Sequence, residues 1–330
     1  MTTADGLTAP SGPRAAQPAH TAQPPSAAAD GADRAEGRRR RRRAENLRGW
    51  IYCLPFLAAF GLFLIWPTIY GLWMSFTGTS LAGTNTGFVG LANWTEALSD
   101  PNVWTSLGNT AWFTVLSTIP LVLIAMGLAI LVNIGLPGQW FWRLAFFLPF
   151  LLASTVVSKF WNWMYNPQLG LVNTVLGWFG ITGPAWLQDP NTAMIAVVMT
   201  TVWWTIGFNF LLYLAALQNI PDQLYEAASL DGAGRWRTFL SITLPQLAPT
   251  TVLVLVLQLL ASLKVFDQIY QMTGGGPGGS TRPVLLYIYE VGFTGYRLGY
   301  ASAISYIFFF LIIAISIAYM VISSRRSVKA

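Results

Sequence analysis

Six long apolar segments constrain this chain more than any other sequence feature. Each is close to or longer than the roughly 20 residues that cross a bilayer as a helix. They are Trp50–Phe76, Thr110–Ile134, Leu144–Tyr165, Met194–Leu217, Thr250–Met272 and Ala301–Ile322. Of the 330 residues, 54% are hydrophobic and 10% are charged, whereas soluble domains carry about 25% charged residues. The prediction is an all-α polytopic membrane protein with six transmembrane helices.

Residues 1–46 differ in composition from the remainder of the chain. Residues 1–37 are rich in Ala, Pro, Gly, Ser and Thr and have almost no large apolar side chains, which predicts disorder. An unbroken basic run, Arg38–Arg43, follows just before the first span. Such a run is typical of a cytoplasmic topology anchor and could attract anionic lipid. A signal peptide is disfavoured, because Trp50–Phe76 is too long for its apolar region.

The distribution of lysine and arginine predicts the orientation in the membrane. The loops expected outside hold two basic residues, Arg282 and Arg297. The segments expected on the same side of the membrane as the N-terminal tail hold the tail arginines and Arg143, Arg235, Arg237, Arg325, Arg326 and Lys329. Both termini are therefore predicted to be cytoplasmic. The predicted organisation is a tail over 1–46, a transmembrane domain over 47–325 that includes a cytoplasmic loop over 218–246, and a C-terminal segment over 326–330.

The stretch from Pro221 to Pro245 is polar but has helical character. Pro221 and Asp222 suit the first turn of a helix. One apolar face follows at helical spacing, with Leu224, Ala227, Ala228 and Leu230. Gly232 and Gly234 are predicted to end this helix, because glycine takes the left-handed conformation that helix C-termini use. By itself the pattern also fits an ordinary amphipathic helix that joins two spans.

A motif within this stretch resembles the EAA loop of binding-protein-dependent ABC transporter permeases. The pattern is E-A-A, three residues, G, nine residues, then I-x-L-P. Its positions are filled by Glu226, Ala227, Ala228, Gly232, Ile242, Leu244 and Pro245. The resemblance implies the type I ABC importer permease fold. It also implies that the loop is a coupling helix seated in a groove of a separate cytoplasmic ATPase.

Further segments resemble the outer loops of carbohydrate permeases of the maltose/glycerol-phosphate type. They are Gly90–Trp94, Trp163–Asn173, Thr273–Pro277, Tyr287–Tyr289 and Gly299–Ala303. The resemblance covers roughly residues 50–325 and implies transport of a sugar or an oligosaccharide across the cell membrane. The implied partners are a second homologous permease, an ABC ATPase dimer and an extracytoplasmic sugar-binding protein or lipoprotein.

The sequence contains no motif for ATP hydrolysis or metal binding. Gly274–Gly276 is not followed by Gly-Lys-Ser/Thr, and none of the three lysines has a Walker A context. One histidine, His20, and one cysteine, Cys53, disfavour histidine catalysis and cysteine metal clusters. The chain is expected to bind no cofactor or nucleic acid and not to be an enzyme. The resemblance places ATP and Mg on the partner ATPase.

Polar residues in the fourth and fifth spans are candidates for the substrate pathway. Thr201, Thr205 and Asn209 recur every four residues and share one helix face. Trp204 and Phe208 lie beside that face. Gln258 and Ser262 are likewise four residues apart. In the family that the chain resembles, sugar contacts come from these two helices. Helix–helix hydrogen bonding remains an equal alternative for the threonines and the serine.

Two lysines in the spans have open roles. Lys264 and Asp267 are three residues apart and could pair on a helix. With Phe266 they match a K-x-F-D stretch of similar permeases, so they are candidates for gating, for docking the binding protein or for a structural ion pair. Lys159 has no obvious partner in the sequence, and its role stays open.

Two other function classes are possible. An ion-coupled secondary transporter would typically carry carboxylates near the membrane midplane, but Asp267 is the only carboxylate in a span and lies off-centre. A membrane-embedded enzyme would need a nucleophile, an acid–base pair or a metal site. Glu96, Asp100 and Asp189 are single outer-loop acids that are predicted to be solvated.

Overall fold

The structure is a computed structural model that describes residues 52–84, 87–135 and 137–327, with side chains described through residue 317. The predicted disordered tail and its arginine run lie outside the described residues. The chain divides into two units, Met1–Pro67 and Thr68–Ala330. Apart from one isolated bridge between Thr77 and Phe88, the described part contains helices and no strands. The all-α class is confirmed.

Twelve helices, labelled here in chain order, make up the described part. They are α1 Tyr52–Met74, α2 Ala92–Ser99, α3 Pro101–Asn133, α4 Gln139–Phe147, α5 Ser154–Met164, α6 Leu171–Trp178, α7 Pro190–Gln218, α8 Asp222–Leu230, α9 Arg235–Leu263, α10 Asp267–Met272, α11 Val284–Thr294 and α12 Leu298–Ser327. Among them, α1, α3, α7, α9 and α12 are long and apolar enough to cross a membrane.

The third predicted span is not one straight helix. Helix α4 continues into a 3-10 turn, Leu148–Leu151. The axis of the next helix, α5, is bent by 100° relative to the Gln139–Leu151 segment. Leu152 and Ala153 between them are extended, with ψ of 142° and 144°. Pro149 lies in the 3-10 turn and cannot donate a backbone hydrogen bond to a continuing helix. The prediction of a single helix over Leu144–Tyr165 was therefore wrong.

The fifth predicted span is displaced toward the N-terminus of the chain. Helix α9 begins at Arg235 and ends at Leu263, whereas the predicted segment was Thr250–Met272. The backbone leaves helical geometry at Lys264 and Phe266, where Phe266 has φ −146° and ψ −67°. The apolar residues after this break belong to the short helix α10.

Helices α3 and α7 pack along each other and form the centre of the second unit. Toward the Asn133 end, the core contains Ala125 and Leu121 of α3 and Phe210 and Tyr213 of α7, each at most 1% exposed. Small side chains such as Ala125 let the two helices approach closely, which is a frequent basis of helix packing in membranes. Leu247 of α9 completes this core.

Helix α4 contacts α7 through backbone at Gly207. A Cβ atom at this position would lie less than 3.0 Å from backbone atoms of Phe146 and Phe147. Beside this contact, the indole Nε1 of Trp204 donates to the Leu152 carbonyl at 3.1 Å. Together the two contacts hold the bent α4–α5 pair against α7.

Candidate functional site: a polar cavity between three spans

The predicted polar stripes of the fourth and fifth spans face one cavity of about 210 Å³. Its lining includes five of the seven predicted pathway residues: Thr201, Trp204, Thr205, Gln258 and Ser262. Helix α3 contributes Phe113 and Ser117, and the first residue of α5, Ser154, completes one side. The segment after α9 covers the opposite end with Lys264–Gln268. The cavity therefore lies between α3, α7 and α9, at the point where α9 stops.

Most of the hydroxyl groups around the cavity are engaged within the chain. Thr201 Oγ1 lies 2.8 Å from Gln268 Oε1 and donates to it. Thr205 donates to the carbonyl of Thr201 at 2.8 Å, and Ser262 donates to the carbonyl of Leu259 at 3.1 Å. These bonds fix the side chains, and the Thr201–Gln268 bond joins α7 to α10. The threonines therefore fit both interpretations, as helix–helix contacts and as lining of the pathway.

Gln258 differs from these hydroxyl residues. Its side chain lines the cavity and is 8% exposed. Within the described part of the chain, it makes no hydrogen bond. An amide offers two donors and one acceptor oxygen, and a buried amide without partners is costly. Gln258 therefore presents a free amide to whatever occupies the cavity.

Trp204 adds an aromatic surface next to this amide. Its indole nitrogen is held by the Leu152 carbonyl, while the side chain lines the cavity and is half-buried. An indole ring fixed at one end presents an apolar face and can stack on an apolar or weakly polar ring. Together, the ring of Trp204 and the amide of Gln258 can bind a ligand that has both apolar faces and hydroxyl groups.

Two predicted pathway residues do not line the cavity. The ring of Phe208 stacks on Phe150, with centroids 5.3 Å apart. Asn209 is 0% exposed, and neither its Oδ1 nor its Nδ2 has a hydrogen-bond partner in the described part of the structure. Asn209 lies on the same face of α7 as Thr205, about one turn further along the helix. The stripe of polar residues on α7 is thus longer than the cavity.

Lys264 and Asp267 are both exposed and both line the cavity, but no ion pair joins them among the described residues. Their predicted pairing assumed a continuous helix, and the helix ends one residue before Lys264. Lys159 is exposed on α5 and has no ion pair among the residues described. The gating and docking interpretations of Lys264 and Asp267 remain predictions.

The 218–246 loop forms a helical hairpin. Glu226, Ala227 and Ala228 lie on α8, and the chain turns at Gly232, where φ is +72°. The predicted left-handed glycine is confirmed at Gly232, whereas Gly234 has φ −68° and precedes α9.

The second half of the motif lies on α9. Ile242 falls in its π-helical segment, Phe239–Thr243, and Leu244 and Pro245 follow. Tyr225 and Thr243 bond through their hydroxyls at 3.1 Å and tie α8 to α9.

Apolar side chains on this hairpin are uncovered within the chain. Leu230 is 88% exposed, Trp236 is 75% exposed and Leu224 is 38% exposed. The predicted apolar face of α8 is present, but the described part of this chain does not bury it. The hairpin therefore presents an apolar surface next to its two arginines, Arg235 and Arg237.

Asp100 is a residue whose environment the sequence did not reveal. One carboxylate oxygen accepts from the Tyr287 hydroxyl at 2.5 Å and from the Tyr300 hydroxyl at 2.8 Å. The other accepts from the Asn102 amide at 2.8 Å and caps α3. Burial raises the pKa of Asp100, but these hydrogen bonds outweigh burial and leave the pKa below its usual value. The prediction of a solvated acid was wrong, because both tyrosines lie nearly 200 residues away in the sequence.

Two cation–aromatic contacts surround this carboxylate. The Arg282 guanidinium lies 4.7 Å from the centroid of the Tyr287 ring, and that of Arg297 lies 4.4 Å from the centroid of the Tyr300 ring. Arg297 also pairs with Glu96 through contacts of 2.8 and 2.6 Å. Arg282 and Arg297 thus have structural roles where α2 and α3 meet α11 and α12.

Comparisons with known proteins agree over most of the chain. Residues 89–328 match the family described as binding-protein-dependent transport system inner membrane component. The sulfoquinovosyl glycerol transport system permease protein SmoG of Agrobacterium fabrum is 36% identical over 277 residues, which cover 84% of this chain and 90% of SmoG. The trehalose/maltose transport system permease protein MalF of Thermococcus litoralis is 36% identical over 281 residues, 84% of this chain and 94% of MalF.

A solved structure extends the agreement to the fold. It is the crystal structure of a bacterial alginate ABC transporter in complex with alginate pentasaccharide-bound periplasmic protein. One of its chains matches with a TM-score of 0.74 and 25% identity, over 86% of this chain and 96% of that chain.

Proposed function

The chain belongs to the family of binding-protein-dependent transport system inner membrane components, and we propose that it forms half of the pathway through which an ATP-driven importer moves a sugar or an oligosaccharide. It is a multi-pass membrane protein and a permease subunit of a sugar ABC importer. A second, homologous permease would supply the other half of the pathway.

One observation carries the proposal for the pathway. Polar residues from two spans and an aromatic ring meet at one cavity, and the Gln258 amide in it has no partner among the described residues. Carbohydrates combine hydroxyl groups with apolar ring faces, and such ligands need a few placed polar groups within a mostly apolar concave site. The pair of Gln258 and Trp204 meets both requirements.

The relatives support a carbohydrate as the substrate. Their names refer to sulfoquinovosyl glycerol and to trehalose and maltose, and the matched structure carries alginate pentasaccharide on its periplasmic protein. An extracytoplasmic sugar-binding protein or lipoprotein is therefore the proposed donor of the substrate. Both termini and the 218–246 loop would lie in the cytoplasm, on the opposite side of the cell membrane.

The hairpin of the 218–246 loop is the proposed connection to an ATPase dimer, which would hold ATP and Mg. Its support is the uncovered apolar surface at Leu224 and Leu230, together with the seven positions of the EAA motif. A buried interface would remove these side chains from water, and exposed apolar patches often mark such interfaces.

The proposed mechanism is alternating access. ATP binding would close the two ATPase subunits and move the hairpin, which is joined to α9 through the Tyr225–Thr243 bond and the continuous helix. Helix α9 carries Gln258 and Ser262, so its movement would reach the cavity directly. ATP or the sugar can shift this equilibrium only by binding one state more tightly than the other.

Replacing Gln258 with leucine tests the pathway. We expect Gln258→Leu to lower uptake by roughly five- to thirtyfold or to change substrate preference, since one buried hydrogen bond to a ligand is worth roughly 1–2 kcal/mol. Uptake of radiolabelled sugar in cells gives the measurement, and co-purification of the partners checks assembly. Thr251→Val, in the same helix but away from the cavity, is the control. Unchanged uptake kinetics in Gln258→Leu would remove this residue from the pathway.

An ion-coupled secondary transporter, the alternative considered from the sequence, is not favoured by family membership. Purification of the chain from its host separates the two functions. A nucleotide-hydrolysing partner bound at the hairpin supports the importer, and uptake that persists in membranes depleted of that partner supports ion coupling.

A further inference from the structure

A second and larger cavity lies beside the hairpin. Its volume is about 740 Å³, within the roughly 300–1,000 Å³ of small-molecule sites. The walls come from the last turns of α3, from Leu217 near the end of α7, from Tyr225 of α8 and from the first turns of α9. None of these residues lines the polar cavity between the spans.

The walls of this hairpin cavity are mainly apolar, with one cation. Ile130, Leu131, Leu217 and Phe239 are among the apolar residues, and no carboxylate belongs to the lining. Arg235 lines the cavity, and its side chain makes neither an ion pair nor a hydrogen bond within the described part of the chain. The lining therefore combines a hydrocarbon-like surface with an uncompensated positive charge.

The backbone of α9 is adapted where it meets the cavity. Residues Phe239–Thr243 form a π-helical turn, and both end residues of that turn line the wall. Such turns inside α-helices frequently occur at functional sites. The Tyr225–Thr243 hydroxyl contact of 3.1 Å closes one side, so the wall is fixed by a specific bond.

The position of the cavity indicates what can enter it. Helices α3 and α7 end at Asn133 and Gln218 and α9 begins at Arg235, and all three are long and apolar enough to cross a membrane. The cavity is therefore at the boundary between hydrocarbon and water, where phospholipid headgroups lie. Trp236, which also lines it, is a residue type enriched at this boundary.

We infer that the hairpin cavity binds one anionic phospholipid from the leaflet on the side of the hairpin. An acyl chain would lie along Ile130, Leu131 and Phe239, and the phosphate would accept charge-assisted hydrogen bonds from Arg235. A free phosphate would gain nothing from the apolar walls, and an uncharged lipid would leave Arg235 without a counter-charge. The inference shares the membrane placement of the proposed function but does not require transport.

A larger side chain at Gly127 would fill the cavity without displacing neighbouring atoms. A Cβ atom added at Gly127, which lines the cavity, meets no atom within 4 Å. Gly108 in the same helix also has nothing within 4 Å but lies outside the lining, so Gly108→Leu is a matched control for Gly127→Leu. Arg235→Gln keeps the cavity and removes its charge.

The test uses the full-length chain with its co-purifying partners, reconstituted in nanodiscs of equal phosphatidylglycerol and phosphatidylcholine. After extraction into detergent, native mass spectrometry counts the retained lipid. We expect one retained phosphatidylglycerol per chain in the wild type and in Gly108→Leu, and a loss of that lipid in Gly127→Leu. In Arg235→Gln, the preference for phosphatidylglycerol should fall roughly tenfold or more, which is the size of a charged hydrogen bond.

Three outcomes would overturn the inference. If Gly127→Leu retains as much phosphatidylglycerol as Gly108→Leu, the lipid binds elsewhere. If the wild type retains phosphatidylglycerol and phosphatidylcholine equally, the Arg235 side chain does not select for an anionic headgroup. Cross-linking of Trp236 to the ATPase in a complex that retains no lipid would assign the cavity to that protein. Lipid counts do not depend on uptake, so a failure here is distinguishable from a failure of the proposed transport function.

Discussion

At Gly207 two helices meet with no side chain between them. The Phe146 carbonyl and the Phe147 Cα would both lie within 3.0 Å of a β-carbon on this residue. A flexible side chain could relieve such a contact by changing rotamer, whereas the backbone of α4 could not. A polar stripe on α7 was visible in the sequence, but nothing adjacent to Gly207 indicated that α4 lies against it.

Gly207→Ala is expected to destabilise the protein. Overpacking a tight contact costs roughly 1–3 kcal/mol, so the thermal unfolding midpoint of the detergent-solubilised protein should fall. The control is Gly108→Ala, whose added methyl meets no atom within 4 Å. Alanine is the better helix former of the two residues, so this control should be neutral or stabilising. Equal midpoints for both variants would show that α4 moves aside.

Asp100 and Asp189 form a natural matched pair. Each precedes Pro and Asn and caps a span, with the Asn102 and Asn191 amides donating at 2.8 and 2.9 Å. Asp100 alone of the two also accepts from Tyr287 and Tyr300. The repeated D-P-N sequence is a local signal that predicts both helix starts, whereas the tyrosine contacts have no local signal.

Replacing each aspartate with alanine separates capping from the tyrosine contacts. Loss of the cap costs about 1 kcal/mol in both variants. Asp100→Ala should cost roughly 1–2 kcal/mol more, the lower part of the range for hydrogen bonds to a charged group, because Asp100 is only partly buried. The difference between the two unfolding midpoints is the measurement. Equal unfolding midpoints for Asp100→Ala and Asp189→Ala would mean that the tyrosine contacts add nothing to the stability.

The pH dependence of the same pair follows from the lowered pKa of Asp100. A carboxylate with a lowered folded-state pKa stabilises the protein above its unfolded value, here 3.8, and loses that contribution as pH falls through the folded value. The wild-type midpoint should therefore approach that of Asp100→Ala only below about pH 3.8. Tyr287, whose pKa is raised to about 12 by burial and by Asp100, stays protonated throughout this range.

At the level of elements, the hairpin contains two glycines that the sequence did not distinguish. Gly232 has φ +72° and Gly234 has φ −68°, and a Cβ atom at either position meets nothing within 4 Å. The two sites therefore differ in backbone conformation and not in available space. A β-branched residue is a genuine outlier at positive φ.

Gly232→Val should distort the hairpin and weaken ATPase association, while Gly234→Val should leave it near the wild-type level. The cost of the left-handed conformation for an L-residue is roughly 1–2 kcal/mol, which corresponds to about a tenfold loss of affinity. Asparagine tolerates this conformation better, so Gly232→Asn should recover part of the loss. The ratio of ATPase to permease after affinity purification is the readout. A wild-type ratio in Gly232→Val would contradict the role of this turn.

Apolar composition located the spans but not their ends or their straightness. Helices α3 and α7 begin at Pro101 and Pro190, before their apolar runs start, because Asp is a favoured N-cap and Pro a favoured first helical residue. The bend between α4 and α5 was missed because an apolar run does not show whether a proline such as Pro149 interrupts the helix. Whether neighbouring helices can satisfy the freed backbone depends on tertiary contacts that a single sequence does not contain.

At the scale of the whole molecule, helical periodicity predicted a large part of the candidate site. Residues four apart on α7 and on α9 do face one cavity, since each stripe occupies one side of its helix. Periodicity could not say how far along α7 the cavity extends, so Phe208 and Asn209 were included although they lie outside it. The pairing of Lys264 with Asp267 failed for a related reason, because a spacing of three joins side chains only within an unbroken helix.

The proposed coupling of the hairpin to transport would be a property of the complete complex. Glu226→Lys should leave membrane insertion intact and uncouple uptake from ATP hydrolysis, because it places a positive charge on the exposed surface of α8. Gln223→Lys places a lysine three residues earlier on the same exposed helix and is the control, with a charge change of +1 where Glu226→Lys has +2. Uptake and ATPase activity measured together in proteoliposomes give the result. Coupled uptake at the wild-type level in Glu226→Lys would count against the hairpin.

The interruption between α9 and α10 has a consequence for hydration. Peptide groups outside a helix are not tolerated against hydrocarbon, because lipid tails offer them no hydrogen bonds. The Lys264 and Val265 amides donate to the Ala261 and Ser262 carbonyls, whereas the Phe266 amide makes no hydrogen bond within the described part of the chain. This amide must therefore be reached by solvent through the cavity or be covered by another subunit. Hydrogen–deuterium exchange at this break in the helix, measured at successive stages of a transport cycle, would report when water reaches the backbone there and when it is excluded.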